Sequence, residues 1–183
     1  MTPKITSIES VEFSYPIENV ATDQHGFNLV YEPGSAVDRK LFSLKIHTDE
    51  GISGEYVGGN SPGAAQINML ADYLIDKNPL ERERHWSEMK RSLRKYDRMG
   101  IGPLDIALWD FAGKYYDAPI HELLGTYQTE FPAYASTYHG DENGGRDSAG
   151  ACADFAAEAR DMGVGGFKIH GVGGSEASRY LER

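Results

Sequence analysis

Apolar and polar residues alternate one by one in the first part of the chain and recur every three to four residues in the next. Within Lys4 to Tyr15, Val11, Phe13 and Tyr15 alternate with Glu12 and Ser14, the two-residue period of a strand. Arg39 to Thr48 alternates cleanly, with Phe42, Leu44 and Ile46 against Ser43, Lys45 and His47. Asp49-Glu50-Gly51 then turns the chain, and Ile52 to Val57 returns it. The three segments predict a three-stranded antiparallel sheet whose apolar face needs helices to cover it. Pro16 to Asp38 carries Gly26, Pro33 and Gly34 among polar residues and has no sustained period. It reads as a long loop, either a lid or binding loop or a disordered connection.

Helical spacing follows. Ser61-Pro62 supplies a cap and a first-turn proline ahead of Ile67, Leu70, Ala71, Leu74 and Ile75 on one stripe. Asn78-Pro79 repeats the device, with Glu81 placed to reach back to the cap and Trp86, Met89 and Leu93 continuing the stripe. Gly102-Pro103 opens a third helix with Leu104, Leu108, Phe111, Ala112 and Tyr115 on one face, and Pro119 stops it. A short helix from Ile120 to Leu124 closes at Gly125. Residues 1–125 therefore read as an α+β domain, a sheet followed by helices.

After Gly125 the rhythm changes. Phe131 to Tyr138 is a strand candidate, a Gly- and Asp-rich loop follows, and Ser148 to Met162 forms a helix with Cys152, Phe155, Ala156 and Ala159 inward and Gly163 as its stop. Gly165-Gly166-Phe167-Lys168-Ile169-His170-Gly171 is the next strand, and Ser175 to Arg183 reads as a helix. Strand, helix, strand, helix is the pattern of a parallel sheet, and two such units cannot bury a parallel core alone, so residues 126–183 are expected to be an incomplete domain. In the strand, Lys168 and His170 point one way while Phe167 and Ile169 point the other. Two basic side chains on one face mark either a chemical site or an exposed edge strand with its charges outward. The Gly171-Val172-Gly173-Gly174 loop departs in spacing from both dinucleotide and phosphate-binding patterns and reads as a flexible loop.

Composition narrows the classes. Of 183 residues, 40% are hydrophobic and 25% charged, as in ordinary soluble domains. The net charge of −10 argues against nucleic acid as a partner. One cysteine, Cys152, allows no internal disulfide and reads as a core residue of a reduced, cytoplasmic protein. No apolar run is long enough to span a bilayer, so no membrane association is expected. His47 and His85 read as surface or packing residues, and Trp109 and Asp110 as interface packing and a cap or ion-pair partner. His139 stands at the end of a strand where a substrate could meet it, without a second signal.

The run Gly100-Ile101-Gly102-Pro103-Leu104-Asp105-Ile106-Ala107-Leu108-Trp109-Asp110-Phe111-Ala112-Gly113-Lys114 carries a resemblance over essentially the whole chain. It is joined by Pro119, Leu123-Leu124-Gly125, Phe131-Pro132-Ala133-Tyr134-Ala135-Ser136 and Phe167-Lys168-Ile169-His170-Gly171. In this order and spacing the residues resemble the mandelate racemase and muconate lactonizing branch of the enolase superfamily. The resemblance implies an α+β capping domain over residues 1–125, then the first two β/α units of a truncated TIM-like (β/α) barrel over residues 126–183, with the active site between cap and barrel. It also implies removal of a proton next to a carboxylate to give an enediolate held by Mg2+. Lys168 and His170 match the two positions of the family's Lys-x-Lys motif, which implies catalytic roles: the second residue as base, the first in support of it and of the substrate carboxylate. Histidine departs from the second lysine, but an imidazole can act as base near neutral pH. Ser136 matches a substrate-contacting position. Pro16 to Asp38 matches the lid, making His25, Phe27 and Tyr31 candidates for substrate selection.

The same resemblance places the three carboxylate ligands of Mg2+ on later barrel strands, so the metal is expected in the complete enzyme and its ligands are not in this chain. Acids such as Glu176 or Asp141 are not ligands merely by being near. The implied enzyme is an acid-sugar dehydratase, with a racemase, epimerase or cycloisomerase as the alternative. Its substrate is a small carboxylate, and it forms a homo-oligomer when complete. As a fragment the chain should be inactive, and a non-catalytic truncated product or assembly module is the competing class.

Overall fold

The structure is a computed structural model that describes residues 2–170. The expected loop at 171–174 and helix at 175–183 lie outside the described residues. The chain forms two compact units, one of Met1–Tyr15 and Lys40–Tyr127, the other of Pro16–Arg39 and Gln128–Arg183.

In the first unit the alternating pattern sets the sheet. Strands β1 (Ile5–Thr22), β2 (Leu29–Thr48) and β3 (Ser53–Gly58) lie in the order β1-β2-β3. β2 and β3 pair antiparallel from Phe42 opposite Gly58 to His47 opposite Ser53. Phe42, Leu44 and Ile46 are buried together on one face, each worth about 1.5–3 kcal/mol of burial. On the other face the register partners Lys45 and Glu55 form a 3.1 Å ion pair.

Helices α1 (Ser61–Leu74), α2 (Arg82–Ser92) and α3 (Ile101–Tyr116) cover the apolar face, and α4 (Ile120–Leu123) follows. The cap of α1 is Asn60 rather than Ser61: its Oδ1 accepts the Gly63 N–H at 2.9 Å, and Pro62 sits inside the first turn. Asn78 makes a turn ahead of α2, accepting the Leu80 N–H, while Glu81 pairs with Arg84 at 2.9 Å instead of reaching back. In α2 the buried stripe runs through His85 and Met89, and Trp86 is 39% exposed. His85, 1% exposed, fits because both ring nitrogens have partners, Nδ1 at 3.1 Å from the Tyr73 hydroxyl and Nε2 at 2.8 Å from the Asn78 carbonyl. Along α3, Leu104, Ala107, Leu108 and Phe111 face the core. Gly54 of β3 lies so close that a Cβ there would sit 1.9 Å from the Ala107 carbonyl oxygen. Asp110 accepts the Glu55 N–H and pairs with Lys114 at 2.6 Å, and Arg82 stacks 3.9 Å over the Trp109 ring.

The second unit corrects one expectation. Pro16 to Asp38 is not a loop: β1 runs on to Thr22, β2 begins at Leu29, and only a tight tip separates them. Asn19 and Gly34 both take positive φ (59° and 82°), and the Gly34 N–H donates to Asn19 Oδ1 at 3.0 Å, which breaks the two-residue rhythm. The tip is closed by Asp23, whose carboxylate accepts the His25 and Phe27 N–H groups and the Asn28 amide. The Asn28 amide and then the Phe27 N–H hold the Asp23 carboxyl below its usual range.

The rest of this unit is a β-α-β crossover. Strand β4 (Tyr134–Ser136), shorter than the expected Phe131 to Tyr138, lies parallel to β5 (Gly166–Lys168), with Ser136 beside Lys168. Helix α5 (Ala149–Asp161) connects them, capped by Ser148, whose Oγ accepts the Ala151 N–H at 3.2 Å. Gly163, at φ 89°, ends it. Phe167 meets Phe155 of α5 edge to face at 5.6 Å, which turns Lys168 to the opposite side of the strand. Cys152 is buried on α5.

Candidate functional site

The C-terminal ends of β4 and β5 bring together three of the six residues singled out in the sequence. Ser136 and Lys168 are register partners and therefore share a face. His170, two residues on from Lys168, returns to that face and places Nδ1 3.3 Å from Ser136 Oγ. Lys168 and Ser136 are exposed, His170 partly so. Phe167 and Ile169 go the other way and line an apolar cleft of about 430 Å³ with Cys152 and Ala156. Polar and apolar side chains are thus divided between the two sides of this short segment.

Thr137 organises the cluster, and periodicity alone did not mark it. It is 3% exposed, and its N–H donates to the Lys168 carbonyl at 3.0 Å. Its Oγ1 accepts the His170 N–H at 2.7 Å, and its carbonyl lies 2.6 Å from His170 Nδ1. The Ser136 hydroxyl donates to the same carbonyl at 2.9 Å. A carbonyl can only accept, so the proton of a neutral His170 ring resides on Nδ1 and the lone pair on Nε2. The His139 ring stands edge to face with His170 at 5.0 Å, and the Tyr138 ring at 6.3 Å.

The hairpin residues reach this cluster unequally. The Tyr31 N–H donates to the His139 carbonyl at 2.7 Å, and Asn143 Nδ2 donates to the Tyr31 carbonyl at 3.0 Å. Gly140 and Gly144 form the seat: a Cβ on Gly140 would lie 2.4 Å from the Tyr31 carbonyl oxygen, and one on Gly144 would lie 2.7 Å from Tyr31 Cε1. Tyr31 is therefore held by the loop after β4 rather than standing free. His25 and Phe27 stay at the tip. Phe27 is 87% exposed, and the His25 ring meets Gln24 Nε2 at 3.2 Å.

The arrangement offers an ammonium, an imidazole with an available Nε2 and a hydroxyl at the ends of two adjacent strands, a set suited to binding a carboxylate and accepting a proton beside it. Magnesium needs near-octahedral oxygen ligation. Among the described residues no three His, Cys, Asp or Glu side chains gather as ligands would, so these residues do not fit such a site. No helix among the described residues is long and apolar enough to cross a membrane.

The chain is similar to known proteins over most of its length. It is 30% identical over 154 residues to D-galactarolactone cycloisomerase of Agrobacterium fabrum (strain C58), covering 79% of this chain and 39% of that protein. It is 33% identical over 147 residues to D-galactonate dehydratase of Xanthomonas oryzae pv. oryzae, covering 75% and 36% respectively. In structure it resembles D-glucarate dehydratase from Agrobacterium tumefaciens, solved in complex with magnesium, with a TM-score of 0.78 and 25% identity over 93% of this chain and 45% of that one. The chain thus spans less than half the length of these relatives. Residues 21–125, more than half of the chain, match the N-terminal domain of mandelate racemase / muconate lactonizing enzyme, and the chain belongs to that family.

Proposed function

We propose that this chain supplies the carboxylate- and proton-handling part of an acid-sugar dehydratase, its substrate a polyhydroxy carboxylate. The observation that carries the reading is the convergence of Ser136, Lys168 and His170 at the C-terminal ends of two parallel strands, where polar side chains in (β/α) barrels do chemistry. The named relatives are acid-sugar enzymes, which agrees with that chemistry. Residues 1–125 act as the capping domain and residues 126–183 as the opening β/α units of the barrel.

In this reading the Lys168 ammonium attracts the substrate carboxylate and the Ser136 hydroxyl hydrogen-bonds a substrate oxygen. His170 Nε2 takes the proton from the carbon beside the carboxylate. The C–H bonding pair stays on the substrate as an enediolate and then expels the hydroxyl of the next carbon, which leaves as water with a proton drawn from solvent. His25 and Phe27, at the exposed hairpin tip, contact the distal end of the substrate. A magnesium site in the complete enzyme would draw on ligands other than the described side chains.

The test is solvent exchange. With D-galactonate or D-glucarate and magnesium in deuterium oxide, the complete enzyme that contains this chain should place deuterium on the carbon beside the carboxylate, and Lys168→Ala and His170→Ala should each lose that activity. Undiminished exchange in both variants sinks the assignment. The lack of a carboxylate cluster among the described residues favours a second reading, a non-catalytic module, which absence of exchange by the unaltered complete protein would support.

A further inference from the structure

We propose that Thr137 is a positioning residue for His170, setting which ring nitrogen carries the proton and where the other one points. Three bonds converge on it. The Thr137 N–H to the Lys168 carbonyl extends the parallel ladder one step past β4, so Thr137 is fixed relative to the strand that delivers His170. The hydroxyl then accepts the His170 main-chain N–H at 2.7 Å, and the carbonyl accepts Nδ1–H at 2.6 Å. One residue thus grips both the backbone and the ring of His170.

A neutral histidine free in water favours its proton on Nε2. The Thr137 carbonyl reverses that preference, because only an Nδ1–H can satisfy a 2.6 Å contact with an atom that has no proton to give. The inference rests on His170 being the base. The proton leaving the substrate carbon then has one destination, Nε2, and its bonding pair remains on the substrate. The resulting imidazolium keeps its Nδ1–H bond to the carbonyl, as a base oriented by a second group does. Thr137 is buried, and valine would match its shape and keep the carbonyl while losing the hydroxyl that accepts the His170 N–H.

Two-bond ¹H–¹⁵N correlation spectra of the chain carrying ¹⁵N-labelled histidine, recorded above the pH at which the rings titrate, read the tautomer directly. The unaltered protein should show His170 with a protonated Nδ1 and an unprotonated Nε2. Thr137→Val, which keeps the carbonyl and loses the hydroxyl, should exchange its His170 main-chain amide about 5-fold faster than the unaltered protein, and Thr137→Ser should keep the native rate. An Nε2–H ring in the unaltered protein, or native exchange of the His170 amide in Thr137→Val, overturns the proposal. Should the valine variant not fold, the unaltered protein's tautomer still decides. Failure of the base assignment looks different: His170→Ala would keep full exchange activity while the Nδ1–H pattern stood.

Discussion

Replacing Gly140 by alanine should release the hairpin from the strand-end cluster. Gly140 lies at φ 84°, and its absent Cβ leaves room for the Tyr31 main chain, whose carbonyl oxygen and nitrogen would be 2.4 and 2.7 Å away. Alanine at positive φ costs about 1 kcal/mol. To relieve the clash, Tyr31 must back away and lose the His139 and Asn143 bonds, about 1 kcal/mol each. Gly145 is the control: its φ is 90° but nothing lies within 4 Å of its Cβ position, so Gly145→Ala carries only the conformational cost. The two variants should therefore differ by about 2 kcal/mol, or about 30-fold in hydrogen-exchange protection of the Tyr31 amide. Equal protection in both variants, or native protection in Gly140→Ala, would refute the seat.

Two further outcomes concern the first unit. Gly54→Ala drives a Cβ into the main chain of Ala107, where no rotamer can yield, so stability should fall by about 3 kcal/mol and the urea midpoint by about 1–2 M. Gly102→Ala, with open space at its Cβ, should leave the midpoint unchanged or raise it. Burial, followed by the nearby Glu83, pushes the Asp105 carboxyl above its ordinary value of 3.8, against the pull of Arg82. The unfolded chain therefore ionises first, and stability is lost as pH rises from 3.8 through the folded value. Asp105→Asn should accordingly unfold at higher urea than the unaltered protein near neutral pH and match it below pH 3.8.

Elements with an unbroken period were the ones legible in the sequence. Phe42, Leu44 and Ile46 alternate without interruption and form the buried face of β2, and Leu104, Leu108 and Phe111 keep helical spacing and pack as that spacing implies. The outer hairpin escaped because the positive-φ residues Asn19 and Gly34 interrupt its alternation and its side chains are largely wet on both faces. In α2, spacing alone admits either His85 or Trp86 ahead of Met89. The choice falls to His85 because Tyr73 of the preceding helix and Asn78 of the turn before α2 satisfy its ring. The pairing of Lys168 and His170 on one face follows from strand alternation, while their meeting with Ser136 depends on the β4–β5 register. Thr137 had no signal of its own. A threonine at a strand end is ordinary until the partner strand supplies a histidine to hold.

The central claim is that His170, presented by Thr137 through Nε2, takes the proton beside the substrate carboxylate. Deuterium incorporation at that carbon by His170→Ala in the complete enzyme, with His139→Ala alongside, tests it most directly. The account predicts a fall of about 100-fold or more in His170→Ala, the share a general base contributes, and a far smaller change in His139→Ala. Incorporation by His170→Ala at the rate of the unaltered protein would contradict it.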